Sequence, residues 1–235
     1  MKANPLETRR SFIATMAGAA GAGFMLSAFP RITPAIGAQE PKEAGVGPVE
    51  DLMREHGVLR RILLIYDELI RRIQAGREMP VQVIAGSAGI IRRFVENYHE
   101  KLEEDELFPR FEKTGKMIDL VRVLREQHQA GRNLTDIIMR SSAALASEKS
   151  RRELAEALRL FIRMYRPHAA REDTVLFPAF RSLVPAEEYE ELGEEFEGKE
   201  EKLFGEGGFE KTVAEIDGFE RTLGIQDLGK FTPRA

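Results

Sequence analysis

The chain has no cysteine and no tryptophan, and only four of its 235 residues are histidine. Without thiols there can be no disulfide, no thiolate metal site and no cysteine nucleophile. Any bound metal must be held by imidazole and carboxylate, a ligand set that suits iron, manganese or zinc. An excess of one charge is also missing: 35 Lys and Arg against 39 Asp and Glu leave a net −4. That mild acidity provides no basic patch and argues against a nucleic-acid partner. Beyond the N-terminus no apolar run is long enough to span a bilayer, so no membrane span is expected once that segment is removed. What is present is 43% hydrophobic residues, enough for one good core and one main domain.

The N-terminus has the layout of an address. Thr8-Arg9-Arg10-Ser11-Phe12-Ile13 precedes a weakly apolar run over residues 13–30, then small residues near a cleavage point after Ala38. The paired arginines resemble a twin-arginine signal, with Ala14 where Lys often stands. Residues 1–38 are therefore expected to be a cleaved signal peptide read by the twin-arginine export machinery, and the mature protein to be periplasmic or otherwise exported. An uncleaved anchor is the alternative, but the Ala/Gly richness makes the run a poor one. That route carries folded proteins, so a cofactor would be loaded before translocation.

Residues 39–47 form a linker, and Pro48 suits the first turn of a helix. Leu52, His56, Leu59, Leu63, Tyr66, Ile70 and Ile73 then alternate spacings of four and three, a stripe that faces a bundle core. A second helix starts near Pro80 and runs past Phe94, His99 and Leu102 towards Pro109, with Gly86 and Gly89 interrupting its stripe. A third carries Val121, Leu124, His128, Gly131, Thr135 and Ile138; a fourth carries Leu154, Leu158, Phe161, Tyr165, His168, Glu172 and Val175. Pro167 predicts a bend beside the last histidine, since a mid-helix proline costs about 3 kcal/mol. No segment alternates as a strand would. The expected fold is all-α: an antiparallel up-down-up-down four-helix bundle over 48–183, with one or two further helices in 184–235.

An internal repeat places the site. His99 is followed by Glu103 at +4 and by Leu107-Phe108-Pro109 and Phe111; His168 is followed by Glu172 at +4 and by Leu176-Phe177-Pro178 and Phe180. His56 and His128 match more weakly, each with an arginine, Arg60 or Arg132, one turn on. On a regular helix, positions i and i+4 differ in direction by only about 40°, so each His and Glu point inward together, whereas i+5 is about 140° away and disfavours Glu104 and Asp173. A carboxylate buried alone would cost several kcal/mol or protonate, and a metal removes that penalty.

The set His56, His99-x-x-x-Glu103, His128 and His168-x-x-x-Glu172, with its two Leu-Phe-Pro segments, resembles the hemerythrin-like HHE cation-binding family over roughly residues 49–183. The resemblance implies two iron ions, oxo- or hydroxo-bridged, in a four-helix bundle with a position open to dioxygen. By position, His56 and His99 would serve one iron, His128 and His168 the other, and Glu103 and Glu172 would bridge. Oxygen carriers of the family place a second histidine where this chain has Arg132 and use an Asp at the position of Asp173. The repeat favours Glu172. The missing nitrogen argues against simple oxygen carriage and for sensing, redox turnover or iron exchange. The expected activity is binding of iron and a small oxidant (dioxygen, peroxide or nitric oxide) rather than that of a dedicated enzyme. A di-iron oxidase or peroxidase, or an iron store, is the alternative.

Tyr98 and Tyr165 are expected to pack in the core, and Arg60 and Arg132 to pair with a carboxylate such as Glu100 or Glu104. The Glu-rich run over 187–201 reads as a solvated face, with covering the bundle end or pairing two copies as a homodimer as its other readings.

Overall fold

The computed structural model describes residues 46–233, and the segment expected to be a signal peptide and linker lies almost wholly outside them. The described residues are helical throughout, with no strand. Helix α1 spans Pro48–Gln74, with its proline in the first turn, Glu50 and Asp51 at its start and Arg71 and Arg72 at its end, charges that complement the helix dipole. Helix α2 covers residues 81–114, α3 spans Ile118–Ser142 and α4 covers residues 148–183. Two more follow, α5 over Ala186–Phe204 and α6 over Gly208–Leu223.

Helix α4 packs on both α1 and α3, and α2 packs on both α3 and α1. The four stripes meet in one apolar core in which Leu52, Tyr66, Phe94, Phe108, Phe111, Phe161, Phe177 and Phe180 are fully buried. Burying each such side chain contributes roughly 1.5–3 kcal/mol. Helices α5 and α6 lie against α1, and α6 also against α2. Arg61 on α1 clamps Glu220 on α6 with two bonds, Nε to Oε1 at 2.9 Å and Nη2 to Oε2 at 2.6 Å. Gly86, which breaks the α2 stripe, belongs to this contact: a Cβ there would lie 2.3 Å from the Phe219 ring, which would have to shift to admit it. Among the described residues no helix is long and apolar enough to cross a membrane.

Helices α2 and α4 differ from the expected ones in winding. Helix α2 turns to π-winding over Ile91–His99 and again over Glu103–Leu107, and α4 does so over Glu172–Leu176. Phe108 N–H bonds back to Glu103 O and Phe177 N–H to Glu172 O, five residues earlier. These two π turns thus close one residue before a proline, Pro109 or Pro178, which supplies no N–H where the register returns to α. The helices continue through both prolines to Thr114 and Leu183, so Pro109 is no helix end. Near Pro109, Arg125 Nη2 donates to the Glu104 carbonyl at 3.2 Å. The π turn also shifts the stripe by one place. Val175, expected to face the core, is 38% exposed, and Leu176 takes its position at 0%. Pro167 sits inside Glu148–Arg171 without ending it.

Candidate metal centre

All six expected donors, His56, His99, Glu103, His128, His168 and Glu172, are at most 3% exposed. They gather as two triads, His56–His99–Glu103 and His128–His168–Glu172, with the potential ligand atoms of each within 4.8 Å of one another. The rings pair within each hairpin, His56 with His99 at 4.7 Å and His128 with His168 at 5.0 Å between centroids. Phe177 stacks on His56 and Phe108 on His128, each at 5.6 Å. The two Leu-Phe-Pro segments therefore wall the site with phenyl rings.

The glutamates join the triads. Glu103 Oε1 faces His99 Nε2 at 3.7 Å while its Oε2 faces His128 Nε2 at 3.4 Å. Glu172 Oε2 faces His56 Nε2 at 3.3 Å while its Oε1 faces His168 Nε2 at 3.0 Å and His128 Nε2 at 4.0 Å. Each carboxylate thus spans both hairpins.

Every histidine is held from behind. Nδ1 of His56 meets Asp173 Oδ1 at 2.6 Å, that of His99 meets Glu55 Oε2 at 2.8 Å, that of His128 meets Glu104 Oε1 at 3.0 Å, and that of His168 meets Gln127 Oε1 at 2.8 Å. A carboxylate or amide oxygen can only accept, so each Nδ1 carries the proton and each Nε2 presents a lone pair to the cavity. This is the arrangement that fixes the tautomer of metal-ligating histidines. Burial drives the His99 imidazole well below its ordinary range and that of His128 down to about 4, which keeps both neutral. With both glutamates ionised, the cavity holds four imidazole lone pairs and four carboxylate oxygens with no proton donor among them. Both oxygens of Glu103, both of Glu172 and Nε2 of His128 have no hydrogen-bond partner.

Burial, and then the charge of Glu172, pushes the Glu103 carboxyl well above the usual range. Burial pushes Glu172 the same way, but whenever the His168 and His56 rings carry a second proton their charge outweighs burial and holds it low. Two buried carboxylates this close resist ionising together, and a cation between them removes the conflict. The donor set of imidazole nitrogens and carboxylate oxygens fits iron, manganese or zinc.

Asp173, the alternative to Glu172, joins neither triad; it holds His56 and pairs with Arg60. Arg60 therefore does not pair with Glu100 or Glu104. Arg132 pairs with both, at 3.0 Å and 2.7 Å, and Glu104 is pulled down to about 2: burial raises it, and His128 and Arg132 more than offset that. Tyr98 Oη donates to Phe196 O at 3.4 Å; Tyr165, set edge-on to His168 at 5.3 Å, donates to Glu100 Oε1 at 2.6 Å. Gly131 makes room for that phenol, since a Cβ there would lie 1.9 Å from Tyr165 Oη.

Glu55 and Gln127 are the functional residues that spacing did not single out. Each immediately precedes a site histidine, His56 or His128, and supports the second histidine of the same hairpin. Their shared place in the repeat was the available signal.

A dry, donor-free cluster of nitrogen and oxygen ligands between helices defines a metal-binding helical protein. The chain belongs to the hemerythrin HHE cation-binding domain family, whose model matches residues 47–180 and 119–205. Relatives include an uncharacterized protein of Mycobacterium bovis and uncharacterized proteins of two Mycobacterium tuberculosis strains, each 47% identical over 232 residues, covering 96% of this chain and 91% of theirs. No solved structure gives a significant match.

Proposed function

We propose that this is an exported non-haem di-iron protein that binds a small oxidant, dioxygen, peroxide or nitric oxide, for sensing or detoxification. One observation carries the reading: Glu103 and Glu172 each offer one oxygen to the histidines of either hairpin, in a cavity lined only by acceptors. One iron would sit with His56 and His99, the other with His128 and His168, bridged by both glutamates and by an oxo or hydroxo group. Iron supplies redox chemistry and open coordination positions. The chain's own residues hold it, fix the four imidazole tautomers and exclude water with Phe108 and Phe177. Burial of all six donors favours a small molecule over an extended substrate.

In this reading α1 to α4 form the antiparallel up-down-up-down bundle of a domain over 48–183. The short connections between successive helices, residues 75–80, 115–117 and 143–147, support that topology. Export rests on the Arg9-Arg10 segment and the apolar run after it, which lie outside the described residues.

The test is to purify protein grown with iron, measure metal per chain, and record visible spectra before and after dioxygen, peroxide and nitric oxide. Two irons per chain and a charge-transfer band that answers one oxidant are expected. Zinc alone, or one metal per chain, would refute the reading. Steady turnover of an added reductant would favour the oxidase or peroxidase, and ready loss of iron without spectral response would favour a store.

A further inference from the structure

We propose that the metal position formed by His128 and His168 is the weakly held, exchanging member of the pair, and that Gln127 is the positioning residue that makes it so. The inference rests on the two-metal reading above but concerns what distinguishes the two positions.

Three of the four imidazoles are backed by a carboxylate, and the fourth, His168, by a neutral amide. A carboxylate draws the Nδ1 proton towards itself and raises the basicity of Nε2, which strengthens its bond to a metal. Hydrogen bonds to an ionised acceptor are about twice as strong as neutral ones. The difference falls at one equivalent pair of positions. Residue 55 precedes His56 and backs His99; residue 127 precedes His128 and backs His168. The other two supports match across the repeat: Asp173 backs His56 and takes Arg60, while Glu104 backs His128 and takes Arg132. In both halves that support is a carboxylate paired with an arginine, so the change of backing group is Glu55 against Gln127.

The surroundings widen the gap. Glu55 sits in a buried pocket with Asp51 and with Glu200 of α5, their carboxylate oxygens within 4.8 Å of one another, so its carboxylate is enclosed behind His99. Gln127 is half-buried and lines an open groove of about 560 Å³ between α3 and α4, with Leu134, Leu160, Met164 and Pro167. The imidazole with the weakest support is thus the one whose support also borders a groove.

The test loads the full chain with cobalt(II), adds excess EDTA, and follows the visible ligand-field bands and the bound metal. Unmodified protein is expected to release one cobalt at least about tenfold faster than the other, the scale on which such supports act. Gln127→Glu should slow the fast phase by about tenfold or more and leave the slow phase unchanged. Glu55→Gln should move the slow phase towards the fast one, a reciprocal change that a merely structural role for residue 127 would not produce. Two cobalts leaving in a single phase, or a Gln127→Glu protein with both phases unchanged, would overturn the inference while leaving the two-metal reading intact. Fewer than two cobalts per chain would overturn both. If Gln127→Glu does not fold, Glu55→Gln decides the matter: the slow phase should move towards the fast one, and two unchanged phases would overturn the inference.

Discussion

The two helical hairpins present the same donors to the site, yet one turn away they have little in common. Where α1 has Leu59, α3 has Gly131; where α4 has Ala169, α2 has Glu100; where α2 has Glu96, α4 has Tyr165. Arg60 is half exposed and, among the described residues, pairs with Asp173 alone, while Arg132 is 21% exposed and ion-pairs with both Glu104 and Glu100. Leu59 and Ala169 are buried apolar groups, three residues after His56 and one after His168. The half with His128 and His168 carries a connected chain running from Tyr165 through Glu100, Arg132 and Glu104 to the imidazole. The lesson is that the repeat is kept where cations must be gripped and abandoned where nothing grips them.

The largest expected effect removes both halves together. Stripping the metal should leave four lone pairs and two buried carboxylates facing one another. At ligand concentrations 1,000-fold above the dissociation constant, binding contributes about 4 kcal/mol to folding, so denaturant unfolding with and without chelator should differ by that order. Single changes then separate the halves: His56→Ala and His128→Ala should each lower metal content from two per chain to one or fewer. Unaltered stability in chelator would show that nothing of consequence is held there.

The next test sharpens the contrast between the arginines. Arg132→Ala leaves Glu100 and Glu104 without their shared cation near the core, and a broken buried pair costs on the order of 3 kcal/mol. Arg60→Ala removes a half-exposed partner and should cost less than about 1 kcal/mol. Equal losses in urea titrations would mean that the two halves are less different than their contacts suggest.

This contrast also marks how far the sequence could be read. The six donors were legible because His at i and Glu at i+4 hold one face on any regular helix, and because the pattern occurs twice. The inward stripes of α1 and α3 were legible for the same reason. Past Glu103 and Glu172 the reading failed by one residue: Val175 turned outward and Leu176 inward because a π turn had inserted a place in the register. Side-chain periodicity cannot announce such a turn in advance, although the proline that follows each one was a clue to where an N–H could be spared. Glu55 and Gln127 escaped notice because neighbouring helical positions diverge by about 100°, so a residue beside a site histidine is not expected to serve that histidine. Each serves the next helix instead.

A smaller effect is expected where the repeat swaps a large side chain for none. Gly131→Ala drives a methyl group into the space of the Tyr165 hydroxyl, and overpacking of this kind costs about 1–3 kcal/mol. The loss should show as a lower denaturation midpoint. It should also shift the spectrum of the metal-loaded protein, because Tyr165 rests edge-on against His168. A neutral substitution would mean that the phenol moves freely, and the polar half would lose its rigid wall.

The subtlest expectation concerns the bond from Tyr165 to Glu100 in the metal-free protein. Burial raises the Glu100 carboxyl to about 8, against the opposing pull of Tyr165 and Arg132. Its folded value lies above its unfolded one, so the folded state keeps a proton that the unfolded chain has released. The associated stability is fully present below the ordinary carboxylate range and is lost as pH rises through about 8. Tyr165→Phe should therefore cost about 1 kcal/mol near pH 6, where a neutral acid loses one hydrogen bond, and about 2 kcal/mol above pH 9, where a carboxylate loses a donor. Urea titrations of both proteins across that range measure the difference. A cost independent of pH would place the proton elsewhere in the chain of contacts, on Glu104 or the site itself, and would detach Tyr165 from the electrostatics of the His128 half.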